Sequence, residues 1–140
     1  MSQKPKLYYL NGRGKMESIR WLLAAAGVEF EEEFLKTREQ FEALVQDGLS
    51  LRFEQIPLVQ MDGMNLRQTK GILSYIAGKY NMYRKYLNVR LFIDMYVDGI
   101  RDLLTMCMVF IVNAGKDKQK ANIKEKATNR YFPQYEKVRI

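Results

Sequence analysis

Tyr8 and Tyr9 stand side by side ahead of a Gly12-Arg13-Gly14 turn and Lys15, in the stretch KLYYLNGRGKMESIRWLLAAAG at residues 6–27. Neighbours on a strand point to opposite faces, so one tyrosine can pack in a core while the other faces a cleft. Pattern alone favours a structural role for both. The two glycines suggest a nucleotide loop, but Glu17 stands where a dinucleotide fingerprint needs its third glycine, which leaves a turn that uses unusual dihedrals. Ile56-Pro57 precedes a short apolar run; Pro57 cannot donate to a sheet ladder, so it belongs at an edge or turn, and a cis bond there would free neighbouring backbone groups for a ligand. Gln68-Thr69 lies where a helix begins, with Thr69 as the expected N-cap and free amides suited to an anion. Cys107 sits in an apolar helical run and reads as a core residue rather than a nucleophile.

The elements that must position these residues follow from periodicity. Residues 6–10 read as a strand, 16–26 as a helix with Ile19, Leu22, Leu23 and Ala26 on one stripe and Gly27 closing it, and 28–35 as an alternating, half-exposed strand. A helix is expected over 38–46, strands over 58–61 and 64–66 joined at Asp62-Gly63, and a helix over 69–79. That order, β-α-β-α-β-β-α, matches a thioredoxin-like domain. From about Tyr83 only helical periodicity remains: Phe92, Ile93, Tyr96, Ile100, Leu103, Leu104 and Cys107 share one stripe, and a second helix is expected over 117–138. Two helices make a hairpin rather than a bundle, so the second domain reads as incomplete.

Composition narrows the chemistry. With 47% hydrophobic and 28% charged residues the chain is globular, and 140 residues allow one ordinary domain or a small one plus part of another. One cysteine excludes an intrachain disulfide, and the absence of histidine excludes His-based zinc sites and Ser-His or Cys-His pairs. The net charge of +7 fits nucleic acid, an acidic membrane surface or a small anion, but the basic clusters at 79–90 and 116–130 read better as solvated helix faces than as a nucleic-acid patch. No apolar run is long enough for a signal peptide or a membrane span, the longest being 106–112, and a cytoplasmic protein is expected.

Taken together, KPKLYYLNGRGKMESIRWLLAAAGVEFEEEF, QIPLVQMDGMNLRQTKGILSYIAGKYN, LFIDMYVDGIRDL and NRYFPQYEKV closely resemble the alpha class of the cytosolic glutathione transferases, over nearly all of residues 4–138. The resemblance implies an α/β thioredoxin-like glutathione-binding domain at 1–82 and an all-α domain at 83–140, here incomplete with two long helices. It also implies a dimer, homomeric or with a related subunit, that conjugates glutathione to apolar electrophiles, with glutathione as cosubstrate and no resident cofactor or metal. By position Tyr9 matches the catalytic tyrosine, whose hydroxyl donates to the glutathione sulfur. Gln55, Ile56 and Pro57 match the segment that pairs with the cysteinyl backbone, and Gln68 and Thr69 match the residues that hold the γ-glutamyl carboxylate. Asp102 and Arg130 match residues that reach the partner subunit's glutathione site, and Phe53 matches the aromatic key of the dimer.

Three departures qualify the match. Lys15 stands where the family usually has an arginine beside the thiolate, so the charge is kept and the planar fork lost. Val45 replaces a basic residue that many members aim at the glycyl carboxylate, and GLSLRF carries about one extra residue nearby; Lys15 and Arg52 are the candidates to compensate. The family also continues for about a third of its length past Ile140, so a C-terminally truncated relative is expected, with one wall of the electrophile pocket missing and apolar helix faces uncovered. A non-catalytic chain that binds glutathione or pairs with a related subunit is the rival expectation. Nucleic-acid binding would rest on charge alone.

Overall fold

A computed structural model of the chain describes residues 3–46, 55–113 and 115–138. It divides into two compact units, Met1–Tyr83 and Arg84–Ile140. In the first, strands β1 (Lys6–Tyr9), β2 (Glu31–Phe34), β3 (Leu58–Met61) and β4 (Met64–Arg67) form one sheet in the order β2-β1-β3-β4. β1 runs parallel to β2 and antiparallel to β3, and β3 and β4 form an antiparallel hairpin. Three helices belong to this unit, α1 (Glu17–Ala25), α2 (Arg38–Gln46) and α3 (Thr69–Lys79). Their order is the thioredoxin-like one expected.

Strand alternation decides where the core lies. Leu7 and Tyr9 of β1 and Val59 and Met61 of β3 point to one face, where Ile19 and Leu23 of α1 and Ile72 and Ile76 of α3 close over them, all buried. The apolar stripe of α1 is the expected one, and Gly27, at φ +70°, ends it: its N–H donates to the Ala24 carbonyl at 3.0 Å and that of Val28 to Leu23 at 2.9 Å.

Several boundaries differ from the sequence expectation. A single 3₁₀ turn, Gly14–Met16, precedes α1, so the α-helix starts at Glu17. β2 is only Glu31–Phe34, wholly exposed rather than half-exposed, because it is an edge strand whose glutamates face water and cations. Val28 and Phe30 pack against the core before that ladder begins. Thr69 is not the N-cap of α3. Gln68 takes that position at φ +66°, and its side chain caps nothing.

The hairpin is tied to α3 at the Asp62-Gly63 turn. Asp62 accepts from the Tyr75 hydroxyl at 2.5 Å and from the Lys79 ammonium at 2.5 and 2.6 Å. The hydrogen bond from Lys79, then that from Tyr75, holds the Asp62 carboxyl below its ordinary value of 3.8. A carboxyl lowered in the folded state stabilises above its unfolded pKa and loses that contribution as pH falls through its folded value. Asn tolerates the φ of +52° found at Asp62, so Asp62→Asn removes mainly the charge. Its melting temperature is expected to fall below wild type at pH 7, and circular dichroism melts should show the difference closing below about pH 3.8.

The second unit is helical: α4 (Leu87–Val112), α5 (Lys116–Lys126), a π-helical turn (Ala127–Tyr131) and α6 (Phe132–Glu136). The helix expected over 117–138 is thus interrupted by a π turn. Tyr135 of α6 donates to the Tyr96 carbonyl of α4 at 2.5 Å, and the two rings lie 5.7 Å apart, which closes the hairpin. On α4 the expected stripe is only partly covered: Leu103 is buried, whereas Cys107 is half-buried rather than core, and Phe92, Ile100 and Leu104 are exposed. Among the described residues no helix is long and apolar enough to cross a membrane.

Candidate active site

The ladder registers gather the candidate residues of the first unit at one end of the sheet. Tyr8 lies opposite Leu58, and Leu58 opposite Arg67. Tyr9, Pro57 and Gln68 each follow directly where those registers end, so all three lie at the same end of the sheet. The Ile56-Pro57 peptide is cis.

The two tyrosines, indistinguishable by type, are separated by their hydroxyls. Both are buried. Tyr8 leaves the sheet on the face away from the core and donates to Gln60 Oε1 at 2.8 Å, so its proton is used. Tyr9 joins the core cluster, and its hydroxyl oxygen accepts the Lys15 backbone N–H at 3.1 Å. A phenol has one donor and two acceptor lone pairs. Among the described residues nothing accepts the Tyr9 proton, so a buried, oriented O–H remains free to donate.

The turn that presents Lys15 is built around that hydroxyl. Gly14 adopts φ +42°, and a Cβ there would lie 2.5 Å from Tyr9 Oη. Sequence reasoning identified the dihedral need and missed the close approach. It also missed Arg20, which fastens the turn from α1: Nη1 donates to the Gly12 carbonyl at 2.9 Å and to Glu17 at 2.8 Å, and Nε to Glu32 of β2 at 2.5 Å. With 14% of its side chain exposed, Arg20 makes charge-assisted bonds worth about 1.5–3 kcal/mol. Arg20→Leu is expected to lower the melting temperature by roughly 5–15 °C in a scanning calorimeter. Arg20→Lys, a point charge without the fork, should recover only part of that loss.

Gln55 and Gln68 meet through their side chains, Gln68 Nε2 donating to Gln55 Oε1 at 3.4 Å, and Arg67 donates to the Gln55 carbonyl at 2.6 Å. Gln68 is exposed and Thr69 half-buried at the head of α3. Lys15 reaches Tyr9 through its backbone, and its side chain is exposed. Val45 is half-buried on α2. Asp102 on α4 and Arg130 in the π turn are both exposed residues of the second unit. Phe53 and Arg52 lie outside the described residues. Among the described residues no group of three or more His, Cys, Asp or Glu could hold a metal.

Residues 5–78, which hold Tyr9, the Ile56-Pro57 segment and the head of α3, match the family model described as "Glutathione S-transferase, N-terminal domain". The chain belongs to the glutathione S-transferases. Its similarities fall in the alpha class: it is 62% identical over 140 residues to glutathione S-transferase 3 of Gallus gallus, 59% to glutathione S-transferase A4 of Mus musculus and 56% to glutathione S-transferase A1 of Homo sapiens, each alignment covering 99% of this chain. It covers 61%, 63% and 63% of those proteins, so the chain spans about three-fifths of the length of these curated relatives. Among solved structures, the glutathione S-transferase from Ascaris lumbricoides superimposes with a TM-score of 0.78 at 28% identity, over 96% of this chain and 67% of that one. A glutathione S-transferase from Caenorhabditis elegans gives 0.74 at 28% identity, over 96% and 66%.

Proposed function

We propose that the protein is a glutathione transferase that binds reduced glutathione at the Tyr9 end of the sheet and conjugates it to apolar electrophiles, in glutathione metabolism and the detoxification of xenobiotics. The observation that carries the reading is the free, buried Tyr9 O–H held in place by the Lys15 N–H. A hydrogen bond to a charged group contributes roughly 1.5–3 kcal/mol, enough to bring a thiol from about 8.5 to roughly 6.5–7.5. The thiolate then attacks the electrophile; with an aromatic halide a C–S bond forms, halide leaves, and the thiol proton has already passed to solvent. No histidine is needed, because the nucleophile arrives with the cosubstrate and requires stabilisation rather than a proton shuttle.

In this reading residues 1–82 are the glutathione-binding domain and 83–140 the helical one. Gln55, Ile56 and Pro57 face the cysteinyl backbone, Gln68 and Thr69 the γ-glutamyl carboxylate, and the exposed Lys15 ammonium lies beside the thiolate. The protein works in the cytoplasm as a dimer, with Asp102 and Arg130 reaching the partner's glutathione and Phe53 as the dimer key. Val45 leaves position 45 of α2 without a cation for the glycyl carboxylate.

The test follows the ultraviolet thiolate band of bound glutathione against pH, beside turnover of a generic aromatic halide. A midpoint near pH 7 with turnover supports the proposal. A midpoint unchanged from about 8.5 removes the role of Tyr9, and glutathione binding without turnover ends the enzyme claim for this chain.

A further inference from the structure

Arg67, the last residue of β4, is a cation with two of its three guanidinium nitrogens unpaired among the described residues. Leu66 packs against the core, so alternation sends Arg67 to the opposite face of the sheet, beside Leu58. Its Nη1 donates to the Gln55 carbonyl at 2.6 Å. Its Nε and Nη2 are buried and find no acceptor among the described residues. Those two nitrogens form the side-on edge of the guanidinium, the pair whose parallel N–H bonds match the two oxygens of a carboxylate. Leaving such donors dry and unpaired costs free energy that an anionic acceptor would recover. Burial also pulls the Arg67 guanidinium below its ordinary value, as expected of a charge short of partners.

The neighbours make the edge part of a site rather than an isolated defect. The carbonyl that Arg67 holds belongs to Gln55, whose side chain accepts from Gln68, the residue that follows Arg67 in the chain. Arg67, Gln55 and Gln68 thus form one connected polar group at the sheet end that carries Tyr9. We propose that Arg67 is a ligand-binding residue of this site, its Nε/Nη2 edge gripping a terminal carboxylate of the bound peptide while Nη1 anchors Gln55. This rests on reading the site as one for glutathione, which carries two such carboxylates, γ-glutamyl and glycyl.

The experiment is a binding cycle by titration calorimetry on the full 140-residue chain. Wild type, Arg67→Leu and Arg67→Lys are each titrated with glutathione, with its glycyl monoethyl ester, and with an analogue whose γ-glutamyl group is replaced by 4-aminobutanoyl. Arg67→Leu should weaken glutathione by about 10- to 100-fold, and Arg67→Lys should recover only part, because an ammonium lacks the fork. One of the two analogues should bind wild type more weakly and be insensitive to Arg67→Leu, which identifies the carboxylate. An equal loss for all three ligands means that Arg67 only props Gln55 and overturns the proposal, as does no loss for any. Should the Leu variant melt out of its fold, the Lys variant carries the same comparison. A wild-type chain that does not bind glutathione overturns the functional reading and this one together, whereas binding with a uniform mutational loss overturns only this one.

Discussion

Tyr9→Phe is expected to lower kcat/KM for conjugation at pH 7 by about 10- to 100-fold, the factor set by losing one charge-assisted hydrogen bond of roughly 1.5–3 kcal/mol. The size of the loss depends on pH. Without the hydroxyl the bound thiol ionises near its free value of about 8.5, so the rising limb of the rate profile moves up by about one to two pH units. The difference between variant and wild type therefore closes toward pH 9 to 10, where thiolate forms unaided. Stability should change less: the Lys15 N–H loses its acceptor, a cost of about 0.5–1.5 kcal/mol. Tyr8→Phe is the matched control. Its hydroxyl is committed to Gln60 on the other face of the sheet, so that variant should lose the hydrogen bond and keep the rate profile. A limb that does not move in Tyr9→Phe would assign the thiolate to some other donor.

Much of the first unit is legible in the sequence because its signals are local. An apolar stripe locates α1, the Gln68-Thr69 start locates α3 to within a residue, the Asp62-Gly63 pair locates the hairpin, and Gly27 the end of α1. What is not legible depends on contacts between distant residues. Alternation says that Tyr8 and Tyr9 face opposite ways, but not which hydroxyl keeps its proton; that turns on Gln60 and on the Lys15 amide. A helix-start pattern favours a short polar N-cap, and Thr69 supplies one, yet the chain puts Gln68 in the cap at a positive φ. Residue-type preference carries no information about that tertiary constraint. Arg67 falls one residue past the strand expected over 64–66 and drew no role from the sequence; only the structure shows it ending β4, with one nitrogen on a backbone carbonyl and two without a partner. The π turn in the last helical stretch has no sequence signal, since α5 is polar all round and gives no periodicity to interrupt. The roles of Asp102, Arg130 and Phe53 came from resemblance alone.

Gly14→Ala should disable the site while leaving every side chain of it in the sequence. Two costs add. At φ +42° an alanine is strained by about 1 kcal/mol. Its Cβ would also sit 2.5 Å from Tyr9 Oη and 3.2 Å from Cε1, so something must shift. Tyr9 is buried in the same core cluster as Met16, Ile19 and Val59, where close packing leaves its ring little room to swing inward, so the hydroxyl and the Lys15 turn are forced apart. The expected results are a melting temperature lower by roughly 5–15 °C, for about 1–3 kcal/mol of strain and overpacking, and a rate profile shifted in the same direction as that of Tyr9→Phe. Gly12→Ala separates this from a general intolerance of the loop: nothing lies within 4 Å of a Cβ at Gly12, and that variant should be close to wild type in both readouts. The double variant Gly14→Ala with Tyr9→Phe separates the two costs. Removing the hydroxyl removes the shortest contact, so the double variant should melt above Gly14→Ala alone, with activity no better than Tyr9→Phe. Additive losses in the double variant would instead mean that the alanine acts through its backbone alone, and that the hydroxyl and the turn are not held against each other.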